Sequence, residues 1–452
     1  MIPNTVVETG PPAGAGADAC TTPKKSAGAY ATALLDTERQ RPVGVRGAAP
    51  RPIRSVGVVG AGLMASQLAM VFARQLGVPV LITDLSQAKV DGALAWITAH
   101  LEKLVSRGEL NERAARELGS LIRGTVDKCE YANCDVVIEA VFEELNVKRA
   151  VFAELQPLLR ADALLLTNTS SLSVTAMGHG LAHPERVVGL HFFNPVAVLP
   201  LVEIIRTRNS DDVSLATACS LARLLGKTAV LVADTPGFVV NRILTRLFCE
   251  LLQLIDNGAD IELADHALDP LGLPMTPLTL LGFIGPAVQL HICETMHAAY
   301  PDRFYVSTSL AAIADARLRG YLDKSGTVLP EAAALLPAAD VDSDADADAD
   351  ADAYAYAYAI KIRILDALAE EVGLMLAEKV VSGPADIDLC MLLGANYPRH
   401  LGASHRCLTK AAPPGASGEK ISIPAPDSPT SSARYRHEQP PLCSTPFFNH
   451  SP

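Results

Sequence analysis

The stretch His191–Ile204, HFFNPVAVLPLVEI, places an ionisable imidazole and a carboxylate in text apolar enough to be buried. Histidine titrates near neutrality, so His191 could accept a proton from a hydroxyl group at physiological pH. A carboxylate bonded to its other ring nitrogen would fix the tautomer and stabilise the imidazolium, the role open to Glu203. Pro195 and Pro200 cannot donate to a sheet ladder. The segment is therefore expected to bend where it leaves a strand and to bring Glu203 back to His191. Such a pair suits the oxidation of a secondary alcohol, where a base takes the hydroxyl proton as hydride departs.

A second group of residues suggests where the hydride would go. Gly60-Ala61-Gly62-Leu63-Met64-Ala65 fits GxGxxG/A, follows a β-branched strand, opens a helix, and has Asp84 at the end of the next strand. Gly60 allows a tight turn, Gly62 lets the backbone approach a pyrophosphate, and Ala65 permits close packing of helix on sheet. The phosphates would lie on the exposed N–H groups of the helix. Asp84 would accept from a ribose 2′-hydroxyl and repel a 2′-phosphate, so NAD is the expected cofactor rather than NADP.

These residues need a scaffold, and the text between them supplies one. Short buried strands (VGVV, VPVLITD, CDVVIEAVFEE, ALLLTNTSSL, RVVGLHFF) alternate with helical text, first after the glycine turn and then over 86–107, 109–121 and 147–159. This predicts an α/β fold, a Rossmann-type doubly wound parallel sheet. After DTPGFVVNR the strands stop and an all-α C-terminal part begins with a long apolar helix over Val239–Asp256. The expected organisation is a disordered leader over 1–52, a dinucleotide-binding domain over 53–235, and a helical domain over 236–330. An acidic Asp-Ala/Tyr-Ala linker follows over 331–358. A partial second helical repeat occupies 359–402, and a polar, Pro/Ser-rich disordered tail 403–452. The repeat is read from NRILTRLFCELLQLIDNGADIELADHAL against IRILDALAEEVGLMLAEKVVSGPADIDLCMLL.

Composition limits the partners. With 452 residues, 49% apolar and 19% charged, the chain has the balance of a soluble globular protein. A formal charge of −12 argues against nucleic acid or an anionic membrane as partner. Nine scattered cysteines without a CxxC or Cys/His cluster suit free thiols in a reducing cytosol and suggest no metal site. No secretory signal is visible, and no apolar run nears the roughly 20 residues that span a bilayer. A cytoplasmic location is expected.

The motifs VGVVGAGLMASQLA, VIEAVFEELNVK, NTSSLSVT, PERVVGLHFFNPV, PLVEI, DTPGFVVNR and LDPLGLPMTPL together resemble the L-3-hydroxyacyl-CoA dehydrogenases. The likeness is greatest to the dehydrogenase part of the multifunctional bacterial, particularly actinobacterial, fatty-acid oxidation α subunit, and it covers about 53–310. It implies that His191 is the catalytic base and Glu203 its partner, and that Ser170 and Asn241 contact the reacting oxygen. It also implies that Glu143 and Lys148 lie along the nicotinamide half of NAD. The substrate would be a 3-hydroxyacyl-CoA. Taken alone, Ser170 could be a turn residue, Asn241 a helix-start residue and Lys148 half of a helix-face ion pair.

The chain departs from this pattern in three places. Residues 1–52 are too short for the enoyl-CoA hydratase domain that such α subunits carry, so hydration is not expected. YLDKSGTVLP stands where the family has a Gly-rich segment ending in an aromatic residue. The second repeat is truncated, and its Ile362 stands where the first has Asn241, so it is expected to be structural. Missing helices would expose an apolar face, which a second copy of the chain could cover as a homodimer. One rival is a dehydrogenase of short free 3-hydroxy acids, which the His191–Glu203 pair disfavours because those enzymes rely on a lysine base. The other is a catalytically degenerate subunit that binds NAD or a thiolase partner without turnover.

Overall fold

Four-residue strands such as VGVV and LLLT, buried at every position, can sit only in a sheet covered on both faces. The computed structural model describes residues 27–40, 45, 47–337 and 349–398. Its eight strands are β1 Val56–Val59, β2 Val80–Thr83, β3 Ile122–Thr125, β4 Val136–Glu139, β5 Leu164–Thr167, β6 Val187–Phe192, β7 Leu201–Arg206 and β8 Thr228–Ala233. They form one sheet in the order β3-β2-β1-β4-β5-β6-β7-β8. The order reverses between β1 and β4, and the crevice at the carboxyl ends of these two strands is the ligand position of such sheets.

The sheet is parallel from β3 through β6, as expected, but β7 runs antiparallel to β6 and β8 parallel to β7. The cause is length. Residues 193–200 are too few for the crossover of a dozen or more residues that a parallel pair needs. Sequence patterning also passes over β3, β7 and β8: β3 is a half-exposed edge strand, and Glu203 interrupts the apolar run of β7.

Helix α1, Ala27–Gln40, precedes the sheet, and the helices that flank it are α2 Leu63–Leu76, α3 Gln87–Ser106, α4 Glu112–Ser120, α5 Leu145–Leu155, α6 Val174–Met177 and α7 Asp212–Leu224. The C-terminal region is helical: α8 Val240–Asp256, α9 Ile261–His266, α10 Pro277–Ile284, α11 Pro286–Ala299, α12 Thr308–Asp315, α13 Pro330–Ala333, α14 Ala349–Ala377 and α15 Pro384–Gly394. Two apolar cores result, one on either side of the sheet, and the first runs on into the helical region around α8. Helix α14 packs along α8, and α15 lies against β7. No helix among the described residues is long and apolar enough to cross a membrane.

The segment read as a disordered leader and the one read as an acidic linker both contain helix. Within the leader, α1 is ordered and packs on α15: Ala31 is buried, and the Tyr30 hydroxyl bonds Asp388 Oδ2 at 3.0 Å. Within the linker, α14 already begins at Ala349, so the Tyr-Ala run is helix, and Tyr356 packs on the core. Alanine at alternate positions has the highest helix propensity of any residue, and here it outweighs the like charges and the weak periodicity. Residues 338–348, which hold most of the Asp-Ala repeat, and the tail from 399 lie outside the described residues.

Candidate active site

The turn after β1 is built around Gly60, at φ +109°. A Cβ there would lie 2.6 Å from the Ala140 carbonyl oxygen, so only glycine lets β1 and β4 end side by side. Gly62 has an ordinary φ of −77°, and nothing lies within 4 Å of where its Cβ would be. That open space borders the N-terminus of α2, which no side chain caps. Ala65 is fully buried against the sheet. Asp84 stands beside the turn, accepting from the N–H groups of Ala61 at 3.0 Å and Leu85 at 2.7 Å. An open approach at Gly62, uncapped helix amides and an adjacent acid fit the diphosphate and ribose of a dinucleotide. Gly60→Ala is expected to destabilise the fold by about 1–3 kcal/mol and to weaken NADH binding, because it strains the backbone and presses on Ala140. Urea unfolding and fluorescence titration check this; unchanged values would mean the turn relaxes freely.

At the end of β4, Glu139 is fully buried and fully bonded. Its Oε1 accepts from Lys148 Nζ and the Val141 N–H, both at 2.7 Å, and its Oε2 from the Thr167 hydroxyl at 2.7 Å. Lys148, only 1% exposed, also reaches Glu143 at 3.1 Å. Glu143 in turn accepts from Thr169 Oγ1 at 2.6 Å and the Ser170 N–H at 2.7 Å. Burial alone would raise the Glu143 pKa; the Lys148 charge, assisted by these donors, instead holds it below the usual carboxylate range. Lys148 thus fixes Glu143 at the crevice, and Glu143 fixes Ser170. From the other side, Asn241 Nδ2 donates to the Ser170 carbonyl at 3.0 Å.

His191 and Glu203 face each other directly across the β6–β7 ladder. His191 Nδ1 lies 2.7 Å from Glu203 Oε2, with the residues 3% and 0% exposed. An ionised carboxylate only accepts, so Nδ1 is the donor in this contact, and in the neutral imidazole Nε2 is then the nitrogen with the free lone pair. The other oxygen, Glu203 Oε1, accepts from the N–H groups of Val239 at 3.1 Å and Val240 at 3.0 Å, at the start of α8. No side chain of its own segment caps that helix; the carboxylate of β7 does so, and the helix dipole favours its charge. Phe193 and Phe238 flank the imidazole, with ring centroids 4.4 and 5.6 Å from it.

The structure therefore gathers the ten expected residues into three connected groups: the turn with Asp84, the Glu143–Lys148–Ser170–Asn241 chain, and the His191–Glu203 pair. Sequence reasoning passed over Glu139, Thr169, Gln67 and Lys227. Glu139 had a signal, an acid closing an otherwise apolar strand. Gln67 and Lys227 had none, since their contacts are distant in sequence. Among the described residues, no group of three or more His, Cys, Asp or Glu side chains is placed to hold a metal ion.

Two family domains match the chain in succession. Residues 55–235 match the 3-hydroxyacyl-CoA dehydrogenase, NAD binding domain, and residues 237–327 match the 3-hydroxyacyl-CoA dehydrogenase, C-terminal domain. The chain belongs to the 3-hydroxyacyl-CoA dehydrogenase family. Among solved structures, FadB2 of M. tuberculosis is 35% identical, with 59% of this chain and 95% of that one covered at a TM-score of 0.57. The 3-hydroxybutyryl-CoA dehydrogenase of Escherichia coli is 27% identical over 77% of this chain and 90% of its own, at a TM-score of 0.66. The fatty acid oxidation complex subunit alpha of Psychrobacter arcticus is 34% identical over 366 residues. That alignment takes in 78% of this chain and 50% of the subunit, so the chain spans half the length of this relative. NAD is the cofactor that the family's first domain is described as binding.

Proposed function

We propose that the protein oxidises the (S)-3-hydroxyacyl thioester of coenzyme A to the 3-oxoacyl thioester. The observation that carries this reading is the buried His191–Glu203 pair, which leaves Nε2 as an available base. Nε2 takes the hydroxyl proton, and the imidazolium that forms is stabilised by Glu203, whose own charge is held by the Val239 and Val240 amides. Gly60, Gly62 and Asp84, with Ala65 packing the helix on the sheet, would hold NAD, which would supply the acceptor for the hydride leaving the carbinol carbon. Ser170 and Asn241 hold the substrate oxygen, and Phe193 and Phe238 keep water from the imidazole. Glu143 and Lys148 support the nicotinamide half by fixing the Ser170 turn.

The test is the reverse reaction, with acetoacetyl-CoA and NADH mixed with the protein and NADH followed by its absorbance. Steady NADH loss is expected, with far less on free acetoacetate, which lacks the coenzyme A handle. Equal rates on both would favour a free hydroxy acid as substrate. No rate from folded, NADH-binding protein would favour a degenerate binding subunit. Two partners belong to the same reading. A thiolase suits a chain whose relative is named as a subunit of a fatty acid oxidation complex, because it consumes the product. A second copy would cover Phe283 and Val288, which α10 and α11 leave half exposed. Co-purification and light scattering test them, and a solitary monomer would remove both.

A further inference from the structure

Gln67 lies in the second turn of α2 and uses both ends of its amide on the connection that leaves His191. Its Nε2 donates to Asn194 Oδ1 at 3.0 Å, and its Oε1 accepts from the Val196 backbone N–H at 2.8 Å. The same connection is held from the sheet edge by Lys227, whose buried Nζ donates to the carbonyl oxygens of Val196 and, at 2.8 Å, Leu199. The dyad's backbone is set by the β6–β7 ladder. Phe193, the ring packed nearest the imidazole, is not; it belongs to the connection that Gln67 and Lys227 grip.

Helix α2 is also the helix whose uncapped N-terminus meets the cofactor turn, with Leu63 as its first residue and Gln67 four residues on. A packed helix moves as a unit, so a small displacement of its first turn on ligand docking reaches Gln67 without loss. Both amide atoms of Gln67 then pass it to Asn194 and Val196.

We propose that Gln67 is a positioning residue that ties occupancy of the Gly60–Ala65 turn to the placement of the His191–Glu203 connection. The proposal rests on the dehydrogenase reading for its kinetic consequence alone; the mechanical link can be measured without turnover. The coupling is reciprocal, as any linkage between two sites must be.

The experiment compares the full-length protein with Gln67→Leu, which keeps the bulk but neither hydrogen bond, and Gln67→Glu, which keeps the acceptor for Val196. Hydrogen–deuterium exchange over 193–200 is measured with and without NADH. In the unaltered protein NADH is expected to slow exchange at the Val196 amide. In Gln67→Leu that slowing disappears, kcat for acetoacetyl-CoA falls about tenfold through misplacement of the base, and NADH binds more weakly by at most the factor lost from the exchange response. Gln67→Glu is expected to retain the exchange response and most of kcat, with Asn194 turning its amide to donate. An NADH response in Gln67→Leu equal to that of the unaltered protein would overturn the proposal. So would a Gln67→Glu variant as impaired as Gln67→Leu. If the unaltered protein binds NADH without turning over acetoacetyl-CoA, the dehydrogenase reading fails and the exchange comparison still decides the link.

Discussion

His191→Gln is expected to lower the turnover of acetoacetyl-CoA by about 10²–10⁴-fold, the usual contribution of a positioned general acid–base. In this direction His191 donates the proton to the forming alkoxide, and in the other it removes it. Glutamine is near in size and can still donate to Glu203, so the buried pocket between Phe193 and Phe238 stays filled. What it lacks is a titrating nitrogen where Nε2 stood. NADH affinity should hold within about twofold, because His191 belongs to the β6–β7 pair and the cofactor turn to β1 and α2. Single-turnover absorbance and NADH fluorescence separate the two effects. A rate within tenfold of the unaltered protein would mean that another group, or water, moves the proton.

Glu371→Ala is expected to cost about 3–5 kcal/mol of stability, since it strands buried cations. Glu371 on α14 is fully buried and bonds the equally buried Arg242 on α8, Nε to Oε1, at 2.5 Å. Arg303 reaches the same oxygen at 3.3 Å, and Arg246 approaches the other at 3.7 Å. Without Glu371, Arg242 keeps Glu378, at 2.8 Å, and Tyr300, through its ring face and its hydroxyl at 3.4 Å. Arg242 follows Asn241 directly, so the loss should also loosen the start of α8, and kcat should fall with stability. Urea unfolding reads the first effect; a change below about 1 kcal/mol would mean that water hydrates the cluster. The cluster also sets an acid limit. Burial tends to raise the Glu378 pKa, but Arg242 and Arg303 hold it below the usual carboxylate range. Its contribution is therefore complete above the pKa it has in the unfolded chain and is lost as pH falls through the depressed folded value.

Features with a local physical cause were legible in the sequence. The Gly60 turn is visible because a tight turn beside a second strand tolerates no side chain, and the short β-branched runs because a doubly covered strand has no polar face. His191 and Glu203 could be paired because two prolines interrupt the text between them. The reversal of β7 followed from the length of the same connection, yet the alternation of strands and helices hid it. What remained hidden depends on distant contacts. Nothing near Gln67 in sequence indicates Asn194, and nothing near Glu203 announces the amides of Val239 and Val240. Helix α1 was missed because its glycine- and proline-rich surroundings dominate the composition, while its order comes from packing on α15.

The capping of α8 by Glu203 has a consequence for recombining this protein with others. A graft cut at residue 235, where the match to the NAD-binding domain ends, would carry the base and its carboxylate but leave behind the two amides that neutralise it. A graft cut just beyond Asn241 would carry all four. The natural seam for transplanting the chemistry therefore lies inside the first turn of α8, several residues past the seam suggested by the fold.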